Sequence, residues 1–196
     1  MKIGIMQPYI FPYVGYYQLI KCVDKFVVYD DVNFIKQGWI NRNNILLNGQ
    51  RHTFSVPIKN LSSFTPINET TINDQLYPKW KDGFLKTLEL NYKKAPFFKD
   101  AFQTISSVFN SSATHISALA VSSISCVFEY LELSINIVET SGVYNNSDLK
   151  GVNRVMDICK REQGDTYINA AGGQELYSKE EFKANGLIRM RHRYTC

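Results

Sequence analysis

The chain has 196 residues, 44% apolar and 20% charged, a balance that excludes a disordered polymer and suits one compact domain with a core of reasonable size. A net charge of +4, scattered except for the end run Arg189, Arg191 and Arg193, argues against a nucleic-acid-binding protein, which usually carries a basic stripe. Four distant cysteines (Cys22, Cys126, Cys159, Cys196) make no Cys-x-x-Cys, no run reaches the ~20 apolar residues of a membrane span, and the short start broken at Gln7-Pro8 is no signal peptide, so a soluble cytoplasmic protein with reduced thiols is expected.

Lys2 to Met6 reads as a buried strand, closed by Pro8. Gln7 to Tyr13 is a loop, because Pro8 and Pro12 each remove a donor and bias the preceding residue away from helix. Val14, Tyr17 and Cys22 space a short helix, and Lys25 to Tyr29 is a β-branched second strand. Strand, loop, helix and strand within about 30 residues make a βαβ unit, whose ligands gather beyond the carboxyl ends of the strands. Two segments stand there: Gln7–Tyr13 and Asp30–Asn43.

Asn44 to Pro57 alternates around Asn48-Gly49, a hairpin signal. Thr65 to Asn73 reads as a further short strand. Trp80, Phe84 and Leu88, joined by Leu85, place a helix over Pro78–Lys93, with Pro78 suited to the first turn. A second helix runs from Pro96 to Asn110. The clearest one covers Thr114–Leu133, with Ile116, Ala120, Ile124, Val127 and Leu131 on one side. Ile135–Glu139 is a strand, Asp148–Glu162 a helix, Thr166–Asn169 a strand, and Ser178–Ala184 a helix opened by a Ser-x-x-Glu capping box. The expected fold is a single α/β domain over residues 1–196: a mainly parallel, Rossmann-like sheet with an inserted β-hairpin and a helical cluster.

The candidate chemistry lies in the two loops. Asp30-Asp31 ends the second strand, where adjacent side chains point to opposite faces, so the two carboxylates do not share a metal or a proton. One can act as a general base or hold an ammonium or sugar hydroxyl while the other caps the loop; a solvated turn is the competing reading. Lys36, Trp39, Asn41, Arg42 and Asn43 follow within eight residues. Arg42 can fork onto a phosphate or carboxylate, Trp39 can stack on a sugar or base, and the asparagines can read hydroxyls. Gly172-Gly173 precedes the last helix, where backbone amides can hold an anion; a tight turn explains it as well. His52, His115 and His192 pair with no second ligand at metal spacing, and no G-x-S-x-G, H-E-x-x-H or P-loop occurs. Zinc catalysis, hydrolase triads and P-loop ATPases are unsupported.

The nucleotidyltransferase superfamily places H-x-G-H after its first strand. Tyr13-Val14-Gly15-Tyr16 resembles that layout, with tyrosines at both histidine positions and so no positive charge for a leaving phosphate. The segments IGIMQPYIFPYVGYYQLI, DKFVVYDDVNFIKQGWINRNNI, LELNYKKAPFF and DICKREQGDTYINAAGGQELY together resemble the WbqC-like family, from Met1 to about Gly186. Q-P-x-x-F-P…G-Y and D-D-V-x-F…W-x-N-R-N are its specific motifs. The resemblance implies a transferase of bacterial O-antigen (lipopolysaccharide) synthesis that puts an acyl or aminoacyl (glycyl) group on the amine of a nucleotide-linked amino sugar. In that reading Asp30, Asp31 and Lys36 are catalytic. Gln7, Tyr9, Phe11, Tyr16, Trp39, Asn41, Arg42, Asn43, Gly172 and Gly173 bind substrate. No metal is implied and no cofactor motif is evident, although activation of a carboxylate donor calls for ATP or a charged carrier. The expected partners are the nucleotide-linked amino sugar and a small amino-acid or acyl donor. A nucleotidyltransferase-like enzyme and a non-catalytic sugar-nucleotide binder are the alternatives. The basic ending LIRMRHRYTC departs from the family's further strand and helix and reads as a truncation or frameshift.

Overall fold

The computed structural model describes residues 1–169 and 179–191. In chain order the elements are β1 (Lys2–Met6), α1 (Val14–Cys22), β2 (Lys25–Val28), β3 (Arg42–Leu47), β4 (Gln50–Ser55), α2 (Tyr77–Tyr92), α3 (Phe98–Phe109), α4 (Ile116–Tyr130), β5 (Ile137–Val138), α5 (Gly151–Arg161), β6 (Thr166–Asn169), α6 (Lys179–Ala184) and β7 (Ile188–Arg191). Short 3-10 helices lie at Ile67–Glu69 and Ser141–Tyr144. Contacts divide the chain into two compact units. One holds Met1–Gln7, Pro12–Val32 and the described part of the chain from Ser134; the other holds Pro8–Phe11 and Asn33–Leu133.

The first unit is the expected parallel sheet. Its order is β5-β2-β1-β6-β7, with every adjacent pair parallel. Counted within the sheet, this is strand order 3-2-1-4-5, the doubly wound arrangement whose direction reverses between the first and fourth strands, here β1 and β6. Parallel strands are buried on both faces, which is why β1 is a continuous apolar run rather than an alternating one. Ile3, Ile5 and Val27 pack with Val155, Ile158 and Phe182 of α5 and α6 on one side. On the other, the Tyr16 ring of α1 meets Phe26 edge-on at 5.5 Å.

The second unit holds the β3–β4 hairpin and helices α2 to α4. Gly49, at φ 76°, and Asn48, at φ 51°, supply the left-handed turn that the Asn-Gly pair signalled. Six rings form a connected aromatic core here: Phe11, Phe54, Tyr77, Trp80, Phe84 and Phe109.

The secondary structure differs from the sequence reading in two places. Thr65–Asn73 is not a strand. Pro66 starts the 3-10 turn Ile67–Glu69, and the backbone around it bonds in single bridges to three different segments, as in Phe34–Thr65, Lys59–Thr71 and Ile72–Thr114. Apolar Ile67 and Ile72 are buried, but the segment pairs only in isolated bridges. Conversely, Ile188–Arg191 of the basic ending does form a strand, β7, paired with β6 from Thr166↔Ile188 to Asn169↔Arg191. The capping-box residue Ser178 lies outside the described residues.

Helix α5 ends in a Schellman turn. The Gly164 amide bonds the Cys159 carbonyl at 2.8 Å and the Gln163 amide bonds Lys160 at 3.0 Å, with Gln163 left-handed. A Cβ on Gly164 would stand 2.4 Å from Cγ1 of fully buried Ile3 on β1. Gly164→Ala is therefore expected to destabilise the fold by about 1–3 kcal/mol through overpacking, read as a lower urea midpoint at unchanged slope.

Candidate functional site

Four strands of the first unit deliver polar groups to the carboxyl edge of the sheet. Gln7 follows β1, Tyr29, Asp30 and Asp31 follow β2, Thr140 and Ser141 follow β5, and buried Asn169 closes β6. The Tyr29 amide bonds the Met6 carbonyl at 2.8 Å, which extends the β1–β2 ladder to this edge.

The two aspartates converge on one residue instead of diverging, as alternation along an extended strand predicted. Asp30 is 2% exposed. Its Oδ1 accepts from the Thr140 hydroxyl at 2.7 Å and from the Ser141 amide at 3.1 Å, and its own amide donates to Ser141 Oγ at 3.1 Å. Asp31 accepts the Ser141 hydroxyl on Oδ1 and pairs with Arg154 through Oδ2. The chain leaves the strand at Asp30, so the period-two rule stops applying there. Neither residue is in a solvated turn.

Arg154, on α5, is 3% exposed. Besides Asp31, it donates from Nε to Asn146 Oδ1 at 2.9 Å and lies 5.1 Å over the Tyr29 ring. Asn146 passes the network to Asp157 at 2.7 Å, and Asp157 pairs with Arg161 at 2.8 Å. The Tyr29 phenol is pushed up, mainly by burial, with Arg154 opposing and Asp31 adding to the rise. Asp31 is the member of the pair with access to solvent, its side chain 15% exposed. A carboxylate offers about four acceptor positions, so Asp31 keeps capacity for a ligand donor.

Tyr16 lies in the core, fully buried, and its hydroxyl donates to the Gln7 carbonyl at 2.9 Å. It shapes the loop after β1. The place of the second histidine of H-x-G-H is thus taken by a core residue, while Tyr13 is half exposed. Gly172 and Gly173 lie outside the described residues.

The remaining candidates belong to the second unit. Trp39 is 38% exposed, with the Arg42 guanidinium 5.5 Å and the Arg51 guanidinium 5.9 Å from its ring. Arg42 Nε donates to the Gly38 carbonyl at 2.9 Å, and its terminal nitrogen bonds the Gln37 carbonyl. Asn41 is buried and holds the Val56 carbonyl at 2.9 Å. Asn43 donates to the carbonyls of Ile10, at 3.1 Å, and Phe11, at 2.5 Å. Phe11 adopts φ 43°, its amide bonded to Ser123 Oγ at 2.9 Å. Half-buried Tyr9 has its phenol raised by burial. Lys36 is exposed.

The family model described as the WbqC-like protein family matches residues 7–194, nearly the whole chain. The chain belongs to that family. The match runs through the basic ending, past the limit near Gly186 that the motifs alone suggested. The chain is also 26% identical over 183 residues to the uncharacterized protein Rv1507c of Mycobacterium tuberculosis, covering 92% of this chain and 77% of that protein. No solved structure matches. Among the described residues, no helix is long and apolar enough to cross a membrane and no cluster of three metal-ligating side chains occurs.

Reading the sequence of this WbqC-like chain missed Thr140, Ser141, Asn146 and Arg154. The Asp30–Ser141 and Asp31–Arg154 contacts span 111 and 123 residues, beyond any local pattern. The available signal was Thr140-Ser141 directly after an apolar strand, since such hydroxyls start turns.

Removing one partner of a buried ion pair strands the other. Arg154→Met is expected to lower stability by about 3–5 kcal/mol, and Asp31→Asn added to it to cost less than the two single changes summed. Urea denaturation of the four proteins in the double-mutant cycle measures this; an additive result contradicts the coupling.

Proposed function

We propose that the protein is a transferase of bacterial surface-polysaccharide (O-antigen) synthesis that acylates the amine of a nucleotide-linked amino sugar, with an amino acid such as glycine as donor. The observation that carries this reading is the 3-2-1-4-5 parallel sheet in a WbqC-like chain, with Gln7 and Asp30-Asp31 leaving its carboxyl edge. Doubly wound sheets of this order take nucleotides at that edge, beside the strand reversal. Gln7 and Asn169 flank the reversal here.

Asp31 is the residue assigned to the sugar amine. The amine nitrogen attacks the acyl carbon of an activated donor, the carbon–leaving-group bond breaks, and one amine proton passes to the Asp31 carboxylate. ATP is the implied source of activation, since a free carboxylate carries no adequate leaving group. Asp30 is a positioning residue: its buried carboxylate fixes Thr140 and Ser141, and Ser141 in turn orients Asp31.

Mass spectrometry of nucleotide-linked amino sugars incubated with protein, ATP and glycine tests the proposal. A product heavier by one glycyl group is expected, and Asp31→Asn lowers its rate by about 10²–10⁴-fold while retaining sugar-nucleotide binding. Pyrophosphate release with a sugar phosphate and no acylated product favours nucleotidyl transfer instead. Binding without turnover under any donor refutes catalysis.

A further inference from the structure

Within the second unit an open cleft of ≈ 690 Å³ runs between the β3–β4 hairpin and α2. Its size is within the range of small-molecule sites. The wall is aromatic: Trp80 and Phe84 stack at 5.3 Å with 6° between their planes, and Phe54 of β4 lies 4.5 Å from Phe84. The described lining carries one lysine, Lys79, and one histidine, His52, and no carboxylate. An apolar ring wall with a positive, donor-bearing rim complements a flat ring carrying negative charge.

Gly83 points to the same use. It sits in the interior of α2, one turn after Lys79, and lines the cleft. Glycine there weakens the helix relative to alanine. Packing does not require it, because a Cβ at this position would meet nothing within 4 Å. What the missing side chain leaves is room in the cleft, beside the aromatic wall.

We propose that this cleft is a binding site for a small flat-ring anion, its ring on Phe54, Trp80 and Phe84 and its carboxylate or phosphate on Lys79 and His52. Every residue named for the site belongs to the second unit.

The chain has two tryptophans, Trp39 and Trp80, so Trp80 reports alone in a Trp39→Phe background. Its fluorescence is titrated with benzyl phosphate, phenylacetate and uridine monophosphate, and with uncharged benzyl alcohol and uridine. A saturable change is expected with at least one of the anions and not with its uncharged counterpart; comparing the three tells a phosphate from a carboxylate and a nucleobase from a simple ring. Lys79→Ala, at an exposed position, weakens binding about tenfold, and Lys79→Glu abolishes it. Gly83→Ala raises the thermal midpoint, and Gly83→Leu abolishes binding with the midpoint not lowered. No saturable change with any anion, equal responses to charged and uncharged ligands, or wild-type binding in Lys79→Glu each overturns the proposal.

Discussion

The carboxyl edge of the sheet depends on a single buried guanidinium. Arg154 has almost no contact with water, and an unpaired charge at such a place costs several kcal/mol after relaxation. Its partners therefore have to be in position whenever the unit is folded. They come from three places: Asp31 after β2, Asn146 before α5, and the Tyr29 ring at the strand end. The requirement ties the turn after β2 to the turn after β5 and both to α5. Loops at the edge of a doubly wound sheet are otherwise free to vary; here the arginine fixes them.

Glu162 plays a similar part at the other end of α5. Its carboxylate takes Lys25 of β2 on one oxygen and the Tyr144 hydroxyl, at 2.6 Å, on the other. Burial alone would raise its pKa, but the hydrogen bonds from Lys25 and Tyr144 outweigh it and the value is lowered. A lowered carboxyl pKa adds stability above the unfolded-state value near ~4.3 and loses it as pH falls through the folded one. The same contact pushes the Tyr144 phenol up, after burial, because an ionised phenol would face a carboxylate. The two clusters hold α5 to the sheet by charge at both ends and by Val155, Ile158 and Cys159 between them.

What the sequence revealed follows from what is local. β1, α1, the hairpin turn and the long helices all carry a period or a turn signal within a few residues, and each is found within two or three residues of its expected bounds. The parallel sheet itself was legible because βαβ spacing leaves little choice of topology. The edge network was not, because it pairs residues more than a hundred positions apart. β7 was hidden for another reason. Ile188-Arg189-Met190-Arg191 alternates, but Ile188 and Met190 are exposed and Arg189 is half-buried, the reverse of the apolar-in pattern by which a strand is recognised. An edge strand gains by this, since a basic side chain discourages pairing with another chain.

The W-x-N-R-N segment is spent largely on backbone. In W-x-N-R-N, Asn41 spends its amide on the Val56 carbonyl, Asn43 on the carbonyls of Ile10 and Phe11, and Arg42 two of its nitrogens on Gln37 and Gly38. Those carbonyls belong to a proline-interrupted segment and to irregular turns, which have no strand ladder to satisfy them. Phe11, held at φ 43°, is the clearest case, since a left-handed aromatic residue persists only where its surroundings impose it. A motif can be hard to meet by chance because it builds a loop, with no ligand involved. Side chains spent in this way offer a ligand little, whereas the Trp39 ring, exposed and flanked by the Arg42 and Arg51 guanidiniums, is not spent on backbone.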